Sequence, residues 1–234
     1  FVLKDSDFTH DDEQNLRFSK LERVISDNIE DYTDMMMLFR TRFQVLEVQK
    51  YLRKLGYPFF AMKGYDVWNE DSIRLRNVLD KCLRGKDLEL YENNLLNRIF
   101  GRNRAGKYIK GRVNNKQEVL NDLDREMDEG NNYLNFYSLD AIRRNIEFGR
   151  VDISPEDIKV GTKHSSKGME SDLVITSLDT SKLIAKNRYM GRQIEEGEKR
   201  VDFVAFSRAK RKLVVFENLF EDCPYHSLKR LKLL

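Results

Sequence analysis

The sequence has few cysteines and no long apolar run, and both shortages exclude whole classes of protein. Cys82 and Cys223 are the only two cysteines, and they match neither a zinc-ligand spacing nor a disulfide framework. We therefore expect both to be small buried side chains in a reducing, cytoplasmic compartment. The longest apolar run, Met35 to Phe39, is far shorter than the roughly 20 residues of a membrane helix. No membrane partner is expected.

A strong net charge is also lacking. The 42 Lys and Arg residues nearly cancel the 39 Asp and Glu residues, which leaves a formal charge of +3. Any surface that binds nucleic acid must therefore be local. Hydrophobic residues make up 40% of the chain, which is enough to form the core of one large domain or two modest ones. The chain starts at Phe1 without a signal-peptide pattern, so we expect a piece of a longer protein.

The apolar pattern predicts an α/β domain that is interrupted by a helical insertion. After a helix over 11–29, a strand over 34–39, a helix over 43–55 and a strand over 57–62 form a βαβ unit. Four helices follow, over 73–83, 88–100, 119–127 and 139–146, with connections rich in Gly, Asn and Arg. Strand character returns at 158–162, 172–177 and 212–216, with a helix over 195–209. We predict one discontinuous α/β domain, 1–65 and 155–234, around an inserted helical subdomain, 66–154.

Three segments carry residues that suit phosphate or nucleic acid. In the first, a strand ends in Arg40-Thr41-Arg42 before a helix. This order places cations and a hydroxyl at the carboxyl edge of a parallel sheet, where open α/β folds bind ligands. Backbone amides at the start of the following helix add a phosphate site. Taken alone, however, this segment favours an ordinary charged turn.

The second segment is a strand that runs into a loop of hydroxyls, lysines and glycine, from Thr162 to Glu170. Gly168 lacks a side chain that would block a phosphodiester, and the loop hydroxyls can donate to phosphate oxygens. His164 by itself would more often be a structural histidine. Within this loop we favour contact with nucleic acid.

The third segment is a helix from Glu198 to Ala209, on which Val201, Val204 and Ala205 are expected on one packed side. Arg208 lies one turn beyond Val204, where an arginine fixed by packing can present its planar fork to phosphate oxygens. The alternative is a basic helix end that the helix dipole favours.

Together these segments resemble the UvrD/Rep/PcrA family of superfamily 1 DNA helicases. The first resembles the family's strand followed by Arg-Thr, the second resembles motif V and the third resembles motif VI, in the family's order. The resemblance covers about 1–65 and 155–218 and implies a RecA-like second motor domain with a parallel sheet. The chain departs from the family pattern at Arg42, Ser171 and Gly197, where Asn, Phe and an acid are usual.

The resemblance also implies the roles of individual residues. ATP would lie in a cleft against the N-terminal RecA-like domain of the same parent chain, with Arg208 as the arginine finger, Glu170 on the ribose, and Gly168 nearby. Movement would run 3′ to 5′ along single-stranded DNA. The residues that would grip the strand are Arg40, Thr41, Thr162, His164, Ser166 and Lys167.

The phosphate-binding loop of an ATPase is missing. No Gly-x-x-x-x-Gly-Lys-Ser/Thr occurs, so the sequence offers no cradle for the β- and γ-phosphates and no recognisable Mg²⁺ ligands. ATP and Mg²⁺ would be bound mainly by the N-terminal domain. We therefore expect the fragment alone to be inactive.

One further stretch is basic. No acidic residue occurs between Glu92 and Glu118, and aromatic residues lie among the cations. Such a stretch suits contact with DNA junctions, although a solvated mobile loop fits equally well. Its candidate DNA-binding residues are Arg98, Arg102, Arg104 and Lys107.

Two other functions remain open at this stage. One is a nucleic-acid-binding or interaction module that kept the helicase fold but lost its motor. The other is an RNA or 5′ to 3′ helicase of the related branch, which typically carries Gln-Gly where this chain has Lys167-Gly168.

Overall fold

The described residues of the computed structural model are 10–63, 67–113, 115–180 and 192–220, and the side chains of 10–17 and 192–195 are not described. Cys223 lies outside them. They fall into two compact units. The first takes in the described parts of Phe1–Gln49, Ala61–Gly64 and Glu156–Leu234, and the second those of Lys50–Phe60 and Tyr65–Pro155.

A five-stranded sheet confirms the predicted α/β class. Its strands are β1 (Met35–Phe39), β2 (Phe60–Ala61), β3 (Ile158–Thr162), β4 (Ser171–Ser177) and β5 (Ala209–Phe216). The strand order is β2-β3-β1-β4-β5, and β1 pairs in parallel with β3 and β4, as β4 does with β5. All five residues of β1 are fully buried, which explains why this strand is apolar at every position.

Among the described residues, three helices accompany the sheet strands: α1 (His10–Ser26), α2 (Arg42–Lys54) and α7 (Arg192–Phe206). Gly56 ends α2 with a φ of +74°. A Cβ at this position would lie 2.5 Å from the carbonyl oxygen of Arg144, so only glycine fits. The strand predicted over 57–62 is reduced to Phe60–Ala61, because Pro58 has no amide hydrogen to donate to a sheet.

The segment after β5 is tied to the end of β4 by one buried carboxylate. Asp179 accepts hydrogen bonds from the backbone amides of Leu219 at 2.8 Å and Phe220 at 3.2 Å. Burial raises the pKa of Asp179 to about 6, although these amides favour its charged form. The carboxylate therefore acts as a local structural anchor.

The second unit is helical. Its helices are α3 (Glu70–Leu83), α4 (Leu90–Ile109), α5 (Lys116–Glu129) and α6 (Phe136–Glu147). Asparagine caps begin three of them: the side chains of Asn69, Asn115 and Asn135 accept hydrogen bonds from first-turn amides. No helix in the described ranges is long and apolar enough to cross a membrane.

The prediction that the fourth helix ends at Phe100 was wrong. α4 bends at Gly101, where φ is +70°, and continues to Ile109. The second part is held by a buried aromatic residue, because Tyr108 stacks on Phe100 at 5.2 Å and donates to Asp122 at 2.6 Å. Most of the basic stretch is therefore helix rather than a mobile loop.

Candidate functional site

The carboxyl ends of β1 and β3 bring together four of the ten predicted DNA-binding residues: Arg40, Thr41, Thr162 and His164. Phe39 and Thr162 are register partners, and the amide of Lys163 donates to the carbonyl of Phe39 at 2.8 Å. The Arg40-Thr41 turn and the loop after Thr162 therefore start side by side. This is the sheet edge at which the parallel arrangement was expected to place a ligand.

Arg40 is already paired. Its Nε and Nη2 donate to the two carboxylate oxygens of Glu198 on α7, at 2.8 and 2.7 Å. These hydrogen bonds raise the pKa of the Arg40 guanidinium above its usual value. In the described part of the chain Nη1 makes no hydrogen bond, so one edge of the guanidinium is left for an anion.

Thr41 caps the start of α2. Its hydroxyl accepts from the amide of Gln44 at 3.2 Å, and the side chain of Gln44 accepts in return from the amide of Thr41 at 3.0 Å. This reciprocal capping box fixes the turn that follows β1. The hydroxyl hydrogen of Thr41 remains able to donate to a ligand.

The loop after β3 separates into supporting and exposed residues. Ser166 is fully buried and its hydroxyl donates to the carbonyl of Lys163 at 2.8 Å, so this hydroxyl supports the loop. The backbone of Thr162 accepts from the amide of Ser165 at 2.9 Å. The exposed loop residues are His164, Lys167, Gly168 and Glu170. Gly168 has a φ of +81° and open space around its Cα, so glycine is needed there for conformation.

A buried ion pair below this edge was missed by the sequence reasoning. Lys163 donates to Asp202 on α7 and to the carbonyl of Ser177, both at 2.6 Å. The side chains of Lys163 and Asp202 are 1% and 6% exposed. A buried charge needs a partner, and here each is the other's partner.

The packed side of α7 also differs from the prediction. Glu198, Asp202 and Ala205 are buried, whereas Val201 and Val204 are only half-buried. The buried residues are spaced four and three apart, which is one face of a helix. The helical spacing of Glu198 and Asp202 with Ala205 could have indicated that two acids share a buried face, and buried acids require cations nearby.

Arg208 lies at the other edge of the sheet, where β4 and β5 begin. Its carbonyl accepts from the amide of Ser171, and its guanidinium donates to Val204, Met169 and Ser207 at 3.0 to 3.1 Å. All three acceptors are neutral, and no carboxylate pairs with Arg208 in the described ranges. The guanidinium is held in place while its charge stays available.

Arg208 also approaches the other predicted nucleotide residues. Its Nη1 contacts the carbonyl of Met169, whose neighbours in sequence are Gly168 and Glu170. Glu170 is exposed. The residues predicted for ATP thus share the amino edge of β4, whereas Arg40, Thr162 and His164 lie at or just after the carboxyl ends of β1 and β3, on the order of 20 Å away along the strand. Ser166 and Lys167 lie in the loop between the two edges, because the amide of Met169 donates to the carbonyl of Ser166 at 2.9 Å.

In the helical unit the predicted basic residues separate into paired and exposed ones. Arg104 forms ion pairs with Glu126 at 2.8 Å and Glu129 at 3.1 Å. Lys107 is bound by Glu118 and Asp122 at 2.6 and 2.7 Å, and despite burial these hydrogen bonds raise its pKa. The side chains of Arg98 and Arg102 are exposed.

The family comparison agrees with the arrangement of the motifs. The model of the UvrD-like helicase C-terminal domain matches residues 91–218, which is more than half of the chain. The chain belongs to this family, and it is the C-terminal part of a superfamily 1 helicase of the UvrD/Rep/PcrA type. The match includes the segments resembling motifs V and VI and begins after Arg40. A search of curated proteins gave no match.

The buried pair gives a stability test. Lys163→Met leaves the Asp202 carboxylate buried without its cation and should lower the free energy of unfolding by about 3–5 kcal/mol. The double variant Lys163→Met with Asp202→Leu should recover most of this loss, because apolar side chains replace both charges. Urea denaturation measures both. Lys167→Met, at an exposed lysine of the same loop, is the control, and a Lys163→Met variant as stable as this control would contradict the assignment.

Proposed function

We propose that this chain is the second motor domain of an ATP-dependent DNA helicase that moves 3′ to 5′ along single-stranded DNA. The first unit would be the RecA-like domain, discontinuous over 1–65 and 155–234, and the helical unit would be its insertion, 66–154. The observation that carries the proposal is the unneutralised guanidinium of Arg208 at one sheet edge, with the partly engaged guanidinium of Arg40 and the exposed His164 at the other. ATP hydrolysis would require the N-terminal RecA-like domain of the parent chain.

Arg208 fits the role of an arginine finger. Three neutral acceptors orient its guanidinium, and no carboxylate in the described ranges cancels its charge. A preorganised cation of this kind stabilises charge that develops on a γ-phosphate during transfer. Glu170 would accept hydrogen bonds from the ribose hydroxyls, and Gly168 keeps the adjoining backbone open. Mg²⁺ and the phosphates would be held mainly by the N-terminal domain.

At the carboxyl edge the exposed side chains would grip the sugar–phosphate backbone. His164 and Lys167 are exposed in the loop after β3. Glu198 leaves the Nη1 donors of Arg40 available. The hydroxyls of Thr41 and Thr162 lie in the turns that follow β1 and β3, where each accepts a hydrogen bond from a backbone amide. Contacts of this kind position a strand without reading its sequence. Ser166 would support these contacts indirectly, because its buried hydroxyl holds the loop in place through the carbonyl of Lys163.

The sharpest test of the motor assignment is Arg208→Ala in the full-length parent protein. Loss of a charge that meets the transition state should lower the ATP turnover rate by about a thousandfold or more. Single-strand affinity should stay nearly unchanged, because Arg208 lies at the opposite sheet edge. Arg208→Lys should rescue little, since a point charge cannot reproduce the planar fork.

The competing explanation for Arg208 is a basic helix end. That role predicts a small stability loss, of the order of 0.5 kcal/mol, and normal turnover. Thermal unfolding measured beside ATP turnover separates the two roles. Normal turnover in Arg208→Ala would refute the finger assignment.

The exposed cations of α4 should contribute to DNA junction binding. Removal of one cation from a phosphate lowers the slope of log affinity against log salt by about 0.9, so Arg98→Ala with Arg102→Ala should make this slope shallower by about one to two units. The matched control is Arg104→Ala with Lys107→Ala, which removes the same charge from positions already bound to carboxylates.

This control pair should destabilise the helical unit and leave the salt slope of the folded protein nearly unchanged. Fluorescence anisotropy with a forked duplex, at several salt concentrations, gives both slopes. Equal slopes for the exposed pair and the unmodified protein would remove α4 from the DNA-binding surface.

A further inference from the structure

Helix α7 extends between the two edges of the sheet. Its acidic residues Glu198 and Asp202 lie near the carboxyl edge, and its last residue, Phe206, lies just before Arg208 at the amino edge. Glu198 and Asp202 are one turn apart on its buried face, and each binds a cation that follows a different strand. Arg40 follows β1 and Lys163 follows β3. The helix is therefore fastened at two points to the edge where the predicted DNA residues lie.

The two fastenings differ in their access to solvent and ligands. The Lys163–Asp202 pair is 1% and 6% exposed and has no route to exchange its partner for an external anion. The Arg40–Glu198 pair is 19% and 10% exposed. Because Glu198 occupies only the Nε and Nη2 donors, the Nη1 donors of Arg40 can bind a second anion.

A phosphate on Nη1 would share the single positive charge of Arg40 with Glu198. Sharing weakens the hold of Arg40 on Glu198, since each anion reduces the attraction felt by the other. Binding of a DNA strand at Arg40 thus weakens the ion pair that holds α7 at Glu198. Asp202 is also attracted by Arg40, but it keeps its hydrogen-bonded ion pair with Lys163. Loss of the Glu198 carboxylate should likewise free Arg40 from its fixed orientation.

The body of α7 can carry this change to Arg208. α7 continues for eight positions beyond Glu198 to Phe206, about 12 Å of helix, and Arg208 follows two positions later. Between them Ala205 is packed in one core cluster with Met36, Leu38 and Val174 of the sheet. A helix held in this way tilts as a rigid body more readily than it bends.

From these contacts we infer that Glu198 is a positioning residue that couples strand binding at Arg40 to the placement of Arg208, with the Lys163–Asp202 pair as the fixed pivot. The inference rests on the proposed function, because it requires Arg208 to act in ATP turnover. It assigns to Glu198 a role in coordination between two sites rather than contact with ATP or DNA.

The test is Glu198→Gln in the full-length parent protein, which keeps the side-chain shape and removes the charge. The quantity measured is the ratio of ATP turnover with saturating single-stranded DNA to turnover without it. We expect this ratio to fall about tenfold, because the ion pair through which strand binding reaches α7 is lost. The DNA concentration for half-maximal stimulation should not rise, because Arg40 no longer shares its charge with a carboxylate. Glu196→Gln, at an exposed position on the same helix, is the matched control and should keep the ratio of the unmodified protein.

A double-mutant cycle separates coupling from simple loss of stability. If Glu198 acts through Arg40, then Glu198→Gln should lower the ratio little further in a protein that already carries Arg40→Gln. An unchanged ratio in Glu198→Gln, or additive losses in the double variant, would overturn the inference. Failure of the proposed function looks different, because normal turnover in Arg208→Ala would refute that function whatever the ratio does.

Discussion

The burial of two carboxylates on one face of α7 is the constraint on which the site depends. Glu198 and Asp202 would be strongly unfavourable in the core without cations, and Arg40 and Lys163 supply them from the ends of two strands. These pairs fix where α7 crosses the sheet. Because Arg208 follows the last turn of α7, they also fix the guanidinium at the opposite edge. One charged interface therefore positions residues at both edges.

Much of the fold could be predicted because its central strand β1 is buried on both faces. β1 is apolar at every position, and the apolar residues of the helices after residue 70 recur at helical spacing. The motifs predicted which residues would cluster, and the structure brings Arg208 to the segment between Gly168 and Glu170. The extension of α4 was not predicted, because a glycine and a run of arginines indicate a loop until Tyr108 is known to be buried.

The ion-pair partners of the site's charged residues could not be predicted from the sequence. Arg40 and Glu198 are 158 residues apart, and Lys163 and Asp202 are 39 apart. Pairing at such separations depends on the sheet order and not on local pattern. The same limit applies to the basic stretch, where Arg104 and Lys107 have carboxylate partners and the exposed Arg98 and Arg102 have the greater access to a ligand.

The central claim is that Arg208 meets charge that develops on the γ-phosphate, and a transition-state analogue tests it most directly. The measurement compares the affinity of the full-length parent protein, with Mg²⁺ and single-stranded DNA, for ADP alone and for ADP with fluoroaluminate. In Arg208→Ala we expect affinity for the analogue to fall by about a hundredfold or more, with ADP affinity nearly unchanged. Equal changes in the two affinities, or no change in either, would contradict the claim.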